Sequence, residues 1–314
     1  MGGGHSLLQS QFGFSLDNTH ITVLSANVVL ANGTSVHTSS TTHPDLFWAL
    51  RGAGHNFGVV TSFTMRTYPI PSTYSIYTLI YTKDKLKGLF SLVNDIDSPP
   101  GTRDPKLFLN GLLLRSAAFD NQPVFSYTIV YEGTQHDLET RAAPFLALGP
   151  ASKTLLTHVS YDRLYQALGF GKETFICSKN TNQAISGVAL PKWNIAGVQK
   201  MYEAVQAVDP RSTALAIEER ERPILSTVVI HYEGDDEAAS RDTQVYLAKF
   251  KDAIYTGLGT GKRHAYVNYA SGKESVEEVY GKERWRVEKL KALKRVWDPE
   301  SRFRFYNPIV VEED

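Results

Sequence analysis

The sequence predicts an α+β fold in which an antiparallel sheet is covered on one face by helices. Three observations lead there. Strand-like segments come in hairpin-like blocks, and helical segments separate those blocks. Strict βαβ alternation is absent, which argues against a doubly wound parallel sheet. The 314 residues are 42% hydrophobic, enough for a real core in one large domain or two ordinary ones.

The elements follow in chain order. Residues 21–39 form a hairpin: Val28-Val29-Leu30 runs into Asn32-Gly33, a type I′ turn signal, and Thr34 to Ser39 returns. Asp45 to Arg51 is a short helix after Pro44, with Leu46, Phe47 and Leu50 on one face and Gly52 as its stop. Gly58 to Tyr68 is a strand. Pro69 and Pro71 disfavour helix and central strand alike and mark a connection. Beyond it, Thr73 to Thr82 alternates as a strand. Lys85 to Asp95 is an amphipathic helix carrying Leu86, Leu89, Phe90 and Val93. Leu107 to Leu114 and Val124 to Tyr131 are paired strands. Asp137 to Leu148 is a helix that contains Pro144. Asn194 to Val208 keeps the 3.6 period, with Asn194 as its N-cap. Thr213 to Glu218 and Leu225 to Tyr232 are strands, Asp235 to Tyr255 is a long helix, and Glu283 to Val296 is a last helix ended by Asp298-Pro299.

Composition excludes several function classes. Lys plus Arg and Asp plus Glu both number 33, so there is no basic excess for nucleic acid. No apolar run approaches the roughly 18 residues of a membrane span. The single cysteine, Cys177, excludes an internal disulfide framework and a cysteine-rich metal site. The nine histidines show no HExxH-like spacing, so no metal ligands are assigned. There is no GxSxG, and Cys177 has no nucleophile context. Met1 to Ser6 has neither a basic nor an apolar signal-peptide region, so the chain as written is expected in the cytoplasm.

A few segments could carry chemistry. Gly2-Gly3-Gly4-His5-Ser6 and Arg51 to Thr61, with Gly52, Gly54 and Gly58, are runs where backbone N–H groups can approach a ligand; the first is more simply a flexible start or a tight turn, and the second reads equally as a Gly-rich connection. Neither is a P-loop or a Rossmann fingerprint. Tyr266-Val267-Asn268-Tyr269 puts Tyr266 and Asn268 on one face of an extended segment and Tyr269 on the other. A phenol beside an amide can grip a polar ring or hold a proton, although half-buried strand aromatics look the same. His231 reads as a structural histidine. Glu218 to Arg222 reads as a solvated charge run from which one carboxylate could face a pocket.

Taken together and in order, several segments are more specific than any one alone. They are Gly2 to Ser6, Phe12-Gly13, Asp17-Asn18, Val28 to Gly33, Pro44 to Gly52 and Asn56 to Thr61. The tail adds Tyr266 to Tyr269, Val279-Tyr280-Gly281, Leu290 to Lys294, Asp298-Pro299, Phe303 and Asn307. The chain closely resembles the berberine bridge enzyme-like FAD-linked oxidoreductases of the vanillyl-alcohol oxidase and p-cresol methylhydroxylase (PCMH) superfamily. The resemblance implies three parts. Residues 1–70 would be the second half of a PCMH-type FAD-binding domain. Residues 71–265 would be a substrate domain whose antiparallel sheet roofs the flavin, and residues 266–314 a berberine-bridge-like segment returning to the FAD domain. It places Gly3, Gly4, His5 and Ser6, then Gly54, Asn56, Gly58 and Val59, against FAD. It places Tyr266, Asn268 and Tyr269 at the reactive end, with Tyr266 polarising or deprotonating a small-molecule substrate.

Family members carry a subdomain ahead of the glycine run, with a pyrophosphate loop and a histidine that attaches FAD covalently. No residue here matches that histidine's motif. The resemblance therefore implies FAD held non-covalently, weakly or not at all, and a partner chain supplying the missing subdomain. It implies a secreted or vesicular protein where the true N-terminus lies further upstream. Three activities stay open: oxidation of a secondary-metabolite intermediate with hydride transfer to flavin, a flavin-free cyclase or isomerase in the old cavity, and a non-catalytic remnant or partner subunit.

Overall fold

The computed structural model describes residues 23–67, 69, 73–96, 104–171, 179, 182–207, 213–218, 224–232, 237–256 and 263–311. The chain divides into two compact units, one built from residues 1–69 and 264–314, the other from residues 70–263.

In the first unit, β1 (Val23–Val29) pairs antiparallel with β2 (Ser35–Ser39) and with β3 (Val59–Met65) in the order β2-β1-β3. The hairpin forms at the expected place but not with the expected turn. Only Gly33 has a positive φ (83°), so the turn is not type I′. Leu30 and Thr34 close a three-residue loop, and the Asn32 carboxamide accepts from the Thr34 N–H (3.0 Å) and hydroxyl (2.7 Å). Helix α1 (Pro44–Ala53) begins with proline in its first turn and breaks at Gly52, whose φ of 154° is foreign to a helix.

The second unit holds one seven-stranded, wholly antiparallel sheet, as the sequence predicts. Its members are β4 (Tyr74–Tyr81), β5 (Leu107–Ser116), β6 (Gln122–Glu132), β7 (Ser152–Val159), β8 (Asn182–Leu190), β9 (Thr213–Glu218) and β10 (Ile224–Tyr232), in the order β7-β4-β6-β5-β9-β10-β8. Helices α2 (Leu86–Ile96), α3 (Gln135–Ala147), α5 (Ile195–Ala207) and α6 (Glu237–Tyr255) cover one face; short α4 (Tyr161–Ala167) follows β7. Their apolar stripes meet alternate strand residues such as Leu79, Leu109, Phe125, Ile129, Val188 and Val228. The opposite face carries Thr78, Thr128 and Asn110 in one row, and by register Glu218 stands beside Asn110. Strands β7 and β8 escape the sequence pattern. β7 is a mostly exposed edge strand, and β8 contains Gly187 and three alanine or serine positions that carry little strand signal.

The chain then completes the first unit with α7 (Val276–Tyr280) and α8 (Arg284–Trp297). Ser275 and Glu278 form a capping box for α7 (3.2 and 2.9 Å). Helix α8 lays Val287, Leu290 and Leu293 inward, and the Trp297 indole donates to the Asp45 carboxylate at the start of α1 (3.2 Å). The core of this unit joins Val28, Leu46, Leu50, Phe57, Tyr280, Leu290 and Ile309.

Gly58 shows how closely β3 enters against β1. A Cβ there would lie 2.6 Å from Val28 Cγ1 and 2.7 Å from the Val29 carbonyl oxygen. Gly58→Ala should therefore destabilise the protein by about 1–3 kcal/mol through overpacking against fixed backbone. Urea denaturation of the two proteins measures it.

Candidate functional site

The C-terminal segment builds a buried polar clamp around the loop that follows α1. Lys294 lies on the buried stripe of α8, where an unpaired charge would be strongly disfavoured. Its ammonium donates to the Asp298 carboxylate (2.6 Å), to the Asn56 carbonyl (2.7 Å) and to the Phe303 carbonyl (2.8 Å), so all three protons are used. Both side chains of the pair are essentially inaccessible. Asp298 also accepts from the backbone N–H groups of Arg302 and Phe303, each at 2.9 Å. Burial alone would raise the Asp298 carboxyl pKa. The ammonium and the two N–H groups outweigh it and hold that pKa below the usual carboxylate range.

Asn56 is the hub of the second layer. Its Oδ1 accepts from the Ile309 N–H (2.9 Å), which fixes the amide's orientation. Its Nδ2 donates to the Tyr280 hydroxyl (2.9 Å) and lies within reach of His55 Nε2 (3.1 Å) and the Asn307 carbonyl (3.4 Å). Tyr280 Oη in turn donates to the Asn307 carbonyl (2.5 Å) and stands 3.0 Å from His55 Nε2. Burial pushes the Tyr280 phenol far above its ordinary pKa, so it remains a donor. Burial also lowers the pKa of His55, and the Lys294 charge adds to that.

The Tyr266 to Tyr269 segment is a turn. Val267–Tyr269 forms a 3₁₀ turn, with Tyr266 as its extended N-cap. The expectation of an extended segment with Tyr269 on the far face is thereby corrected. Residues three apart eclipse in a 3₁₀ turn, and the rings of Tyr266 and Tyr269 meet edge to face at 5.3 Å and 81°. Asn268 Nδ2 donates to the Tyr266 hydroxyl (2.8 Å). Tyr306 fastens this turn to the clamp. Its hydroxyl bonds with the Val267 (2.5 Å) and Ala270 (2.8 Å) carbonyls, and its ring lies 5.6 Å from that of His55.

Comparison with known proteins now bears on this arrangement. The berberine and berberine-like family matches residues 265–310, the stretch that supplies the tyrosine turn and most of the clamp. An FAD-linked oxidoreductase of Penicillium roqueforti is 34% identical over 99% of this chain and 65% of its own length. One of Pestalotiopsis fici is 31% identical over 100% of this chain and 64% of its own. Residues 265–310 thus form a berberine-like segment, and along almost its whole length the chain is similar to FAD-linked oxidoreductases. It spans about 65% of the length of these curated relatives. In fold it is similar to the solved Physcomitrella patens BBE-like 1, with a TM-score of 0.79 at 20% identity, covering 100% of this chain and 70% of that one.

The sequence-assigned residues fare differently. Asn56 sits at the centre of the clamp, and Tyr266, Asn268 and Tyr269 sit together in the turn. Gly54 is buried at the start of a short 3₁₀ helix, Gly54–Asn56. Gly58 is required by the approach of β3 to β1. Val59 opens β3 and is 56% exposed, as part of an apolar outer strand with Phe63 and Met65. Gly3, Gly4, His5, Ser6 and Cys177 lie outside the described residues. Glu218 closes the inner strand β9, paired by register with Asn110 and Leu225. Among the described residues no cluster could hold a metal ion, and no helix is long and apolar enough to cross a membrane.

Sequence reasoning gave no role to His55, Tyr280, Lys294, Asp298 or Tyr306. Two signals were available. Ser275-x-x-Glu278 marks a helix start that delivers Tyr280, and Lys294 interrupts an apolar stripe with Asp298 four residues on.

The lowered His55 pKa sets the sign of a pH effect. The unfolded chain binds a proton near the ordinary value of 6.5, and the folded one only at lower pH. Below about pH 6.5 the unfolded state holds more protons, so stability falls as pH drops through that window. His55→Gln should flatten the fall in urea midpoint between pH 7 and pH 5 relative to the unsubstituted protein.

Proposed function

We propose that the protein is an FAD-linked oxidoreductase acting on a small secondary-metabolite intermediate, by alcohol or amine oxidation or by oxidative ring closure. The observation that carries this reading is the relationship along almost the whole chain to proteins that are themselves named FAD-linked oxidoreductases.

The chain's own residues fit such a cofactor at one telling point. The Asn307 side chain is buried, and among the described residues its carboxamide has no partner beyond the neighbouring Tyr306 side chain. Unsatisfied buried polar groups cost about 1–3 kcal/mol each, so an amide with unused hydrogen-bonding capacity here suits a polar ligand. Asn307 and the backbone of Gly54 to Gly58 would help to hold FAD. When bound, FAD would supply the acceptor for the hydride, and with it the two electrons, removed from the substrate.

Asn56, with its amide occupied on both sides, positions His55, Tyr280 and the 307–309 backbone. Tyr266 polarises the substrate as a phenol by donating from its hydroxyl, or takes the substrate proton as a phenolate. Asn268, donating to that oxygen, stabilises the phenolate when the proton leaves. Tyr269 packs on the Tyr266 ring and fixes its orientation. The exposed apolar strand β3 supports a complementing polypeptide over that edge.

The test is uptake of cofactor. Purified protein incubated with FAD and freed of excess should keep a flavin absorbance spectrum. Protein that stays colourless would overturn the reading and favour a flavin-free cyclase or isomerase. In the flavin-loaded protein, Tyr266→Phe should lower turnover by about 10²–10⁴-fold without lowering the melting temperature; an unchanged rate would remove Tyr266 from the reaction.

A further inference from the structure

We propose that Asn307 reads the imide edge of the flavin pyrimidine ring, its Oδ1 accepting from the ring N3–H and its Nδ2 donating to the adjacent ring carbonyl. This rests on the FAD reading above and names a contact within it.

Three features of Asn307 converge. Its backbone is over-determined. The carbonyl takes the Tyr280 hydroxyl at 2.5 Å and the Asn56 amide at 3.4 Å, and the next residue but one, Ile309, donates back to Asn56. Its φ is +39°, a left-handed conformation that asparagine tolerates better than most residues. Its side chain takes no part in that holding and reaches only the neighbouring Tyr306 side chain. The residue is only 6% exposed, yet among the described residues its carboxamide has no partner beyond Tyr306, which leaves its acceptor and a donor proton unused. A strained backbone held in place to present a buried polar side chain with unused hydrogen-bonding capacity is the arrangement expected of a ligand contact.

The chemistry narrows the ligand. A carboxamide offers an acceptor and a donor side by side in one plane. Its complement is a group with a donor beside an acceptor. A phosphate offers acceptors alone and would leave Oδ1 unmatched. Within FAD the imide of the flavin ring and the amino-purine edge of the adenine hold such a pair rigidly in one plane, unlike the freely rotating ribityl and ribose hydroxyls. Position favours the imide. Tyr306, the neighbour of Asn307 in sequence, bonds directly to the backbone of the tyrosine turn, where the reactive end is proposed.

The experiment compares riboflavin, N3-methylriboflavin and ADP as ligands of the full chain, by calorimetry and flavin fluorescence. The variant is Asn307→Gly, which keeps the left-handed backbone and deletes only the amide. The unsubstituted protein should bind riboflavin roughly tenfold or more tightly than N3-methylriboflavin. Asn307→Gly should lose about the same factor for riboflavin, should no longer distinguish the two flavins, and should bind ADP unchanged. The ligand-free variant should melt at the same temperature or higher, because a buried amide with unused hydrogen-bonding capacity is gone. Riboflavin affinity and N3-methyl discrimination that survive Asn307→Gly would overturn the proposal while leaving the FAD reading standing. Weakened ADP binding would assign the amide to adenine and overturn it as well. A lower melting temperature with unchanged discrimination would make the amide structural. Failure of the unsubstituted protein to bind either FAD or riboflavin would end both readings.

Discussion

Everything in the first unit hangs on where one ammonium group is placed. Lys294 is buried on the inner stripe of its helix, a position that would cost several kcal/mol for a charge left bare. It is tolerated because three oxygens converge on it, at 2.6–2.8 Å. These oxygens come from the residue just beyond the helix, the irregular segment at Phe303, and the 3₁₀ turn after α1. Satisfying the charge therefore joins all three. A hydrophobic residue could fill the space, but it could not specify which carbonyl faces which helix.

That junction sets the geometry further out. Because the Asn56 carbonyl is taken by Lys294, the Asn56 side chain is aimed at Tyr280, Asn307 and Ile309. Because Tyr280 is held there, the Asn307 carbonyl is fixed and its backbone stays in a conformation it would otherwise leave. Tyr306 then carries the same order to the tyrosine turn. The reactive groups proposed at Tyr266 and Asn268 are thus several hydrogen bonds away from the charge that positions them. Precision at a site comes from such supporting contacts more than from the reacting side chains themselves.

Much of this was legible in the sequence. The helix-covered antiparallel sheet, the Asn32-Gly33 hairpin, the Asn194 cap and the stop at Asp298-Pro299 follow from periodicity and turn chemistry, which are local. The family likeness, too, was legible in an ordered set of short segments. What escaped was set by distant partners. The Tyr266 to Tyr269 run has an alternating polar and apolar look, yet it is bent into a 3₁₀ turn by carbonyls that bond to Tyr306, forty residues on. Asn56 was legible as a site residue, but its role as a structural hub needs Tyr280, Lys294 and Ile309, each more than two hundred residues away. The edge strand β7 and the small-residue strand β8 form because their neighbours are present, not because their own residues demand it.

The most direct measurement of this dependence is amide hydrogen exchange in Lys294→Met, compared with the unsubstituted protein under conditions where both are folded. Methionine keeps the bulk and removes the charge, leaving Asp298 buried and unpaired. The account predicts that protection falls together in peptides covering residues 54–57, 276–281 and 303–310, while the seven-stranded sheet of the second unit keeps its protection. Loss confined to the helix carrying residue 294, with the loop after α1 and the 303–310 return still protected, would contradict it.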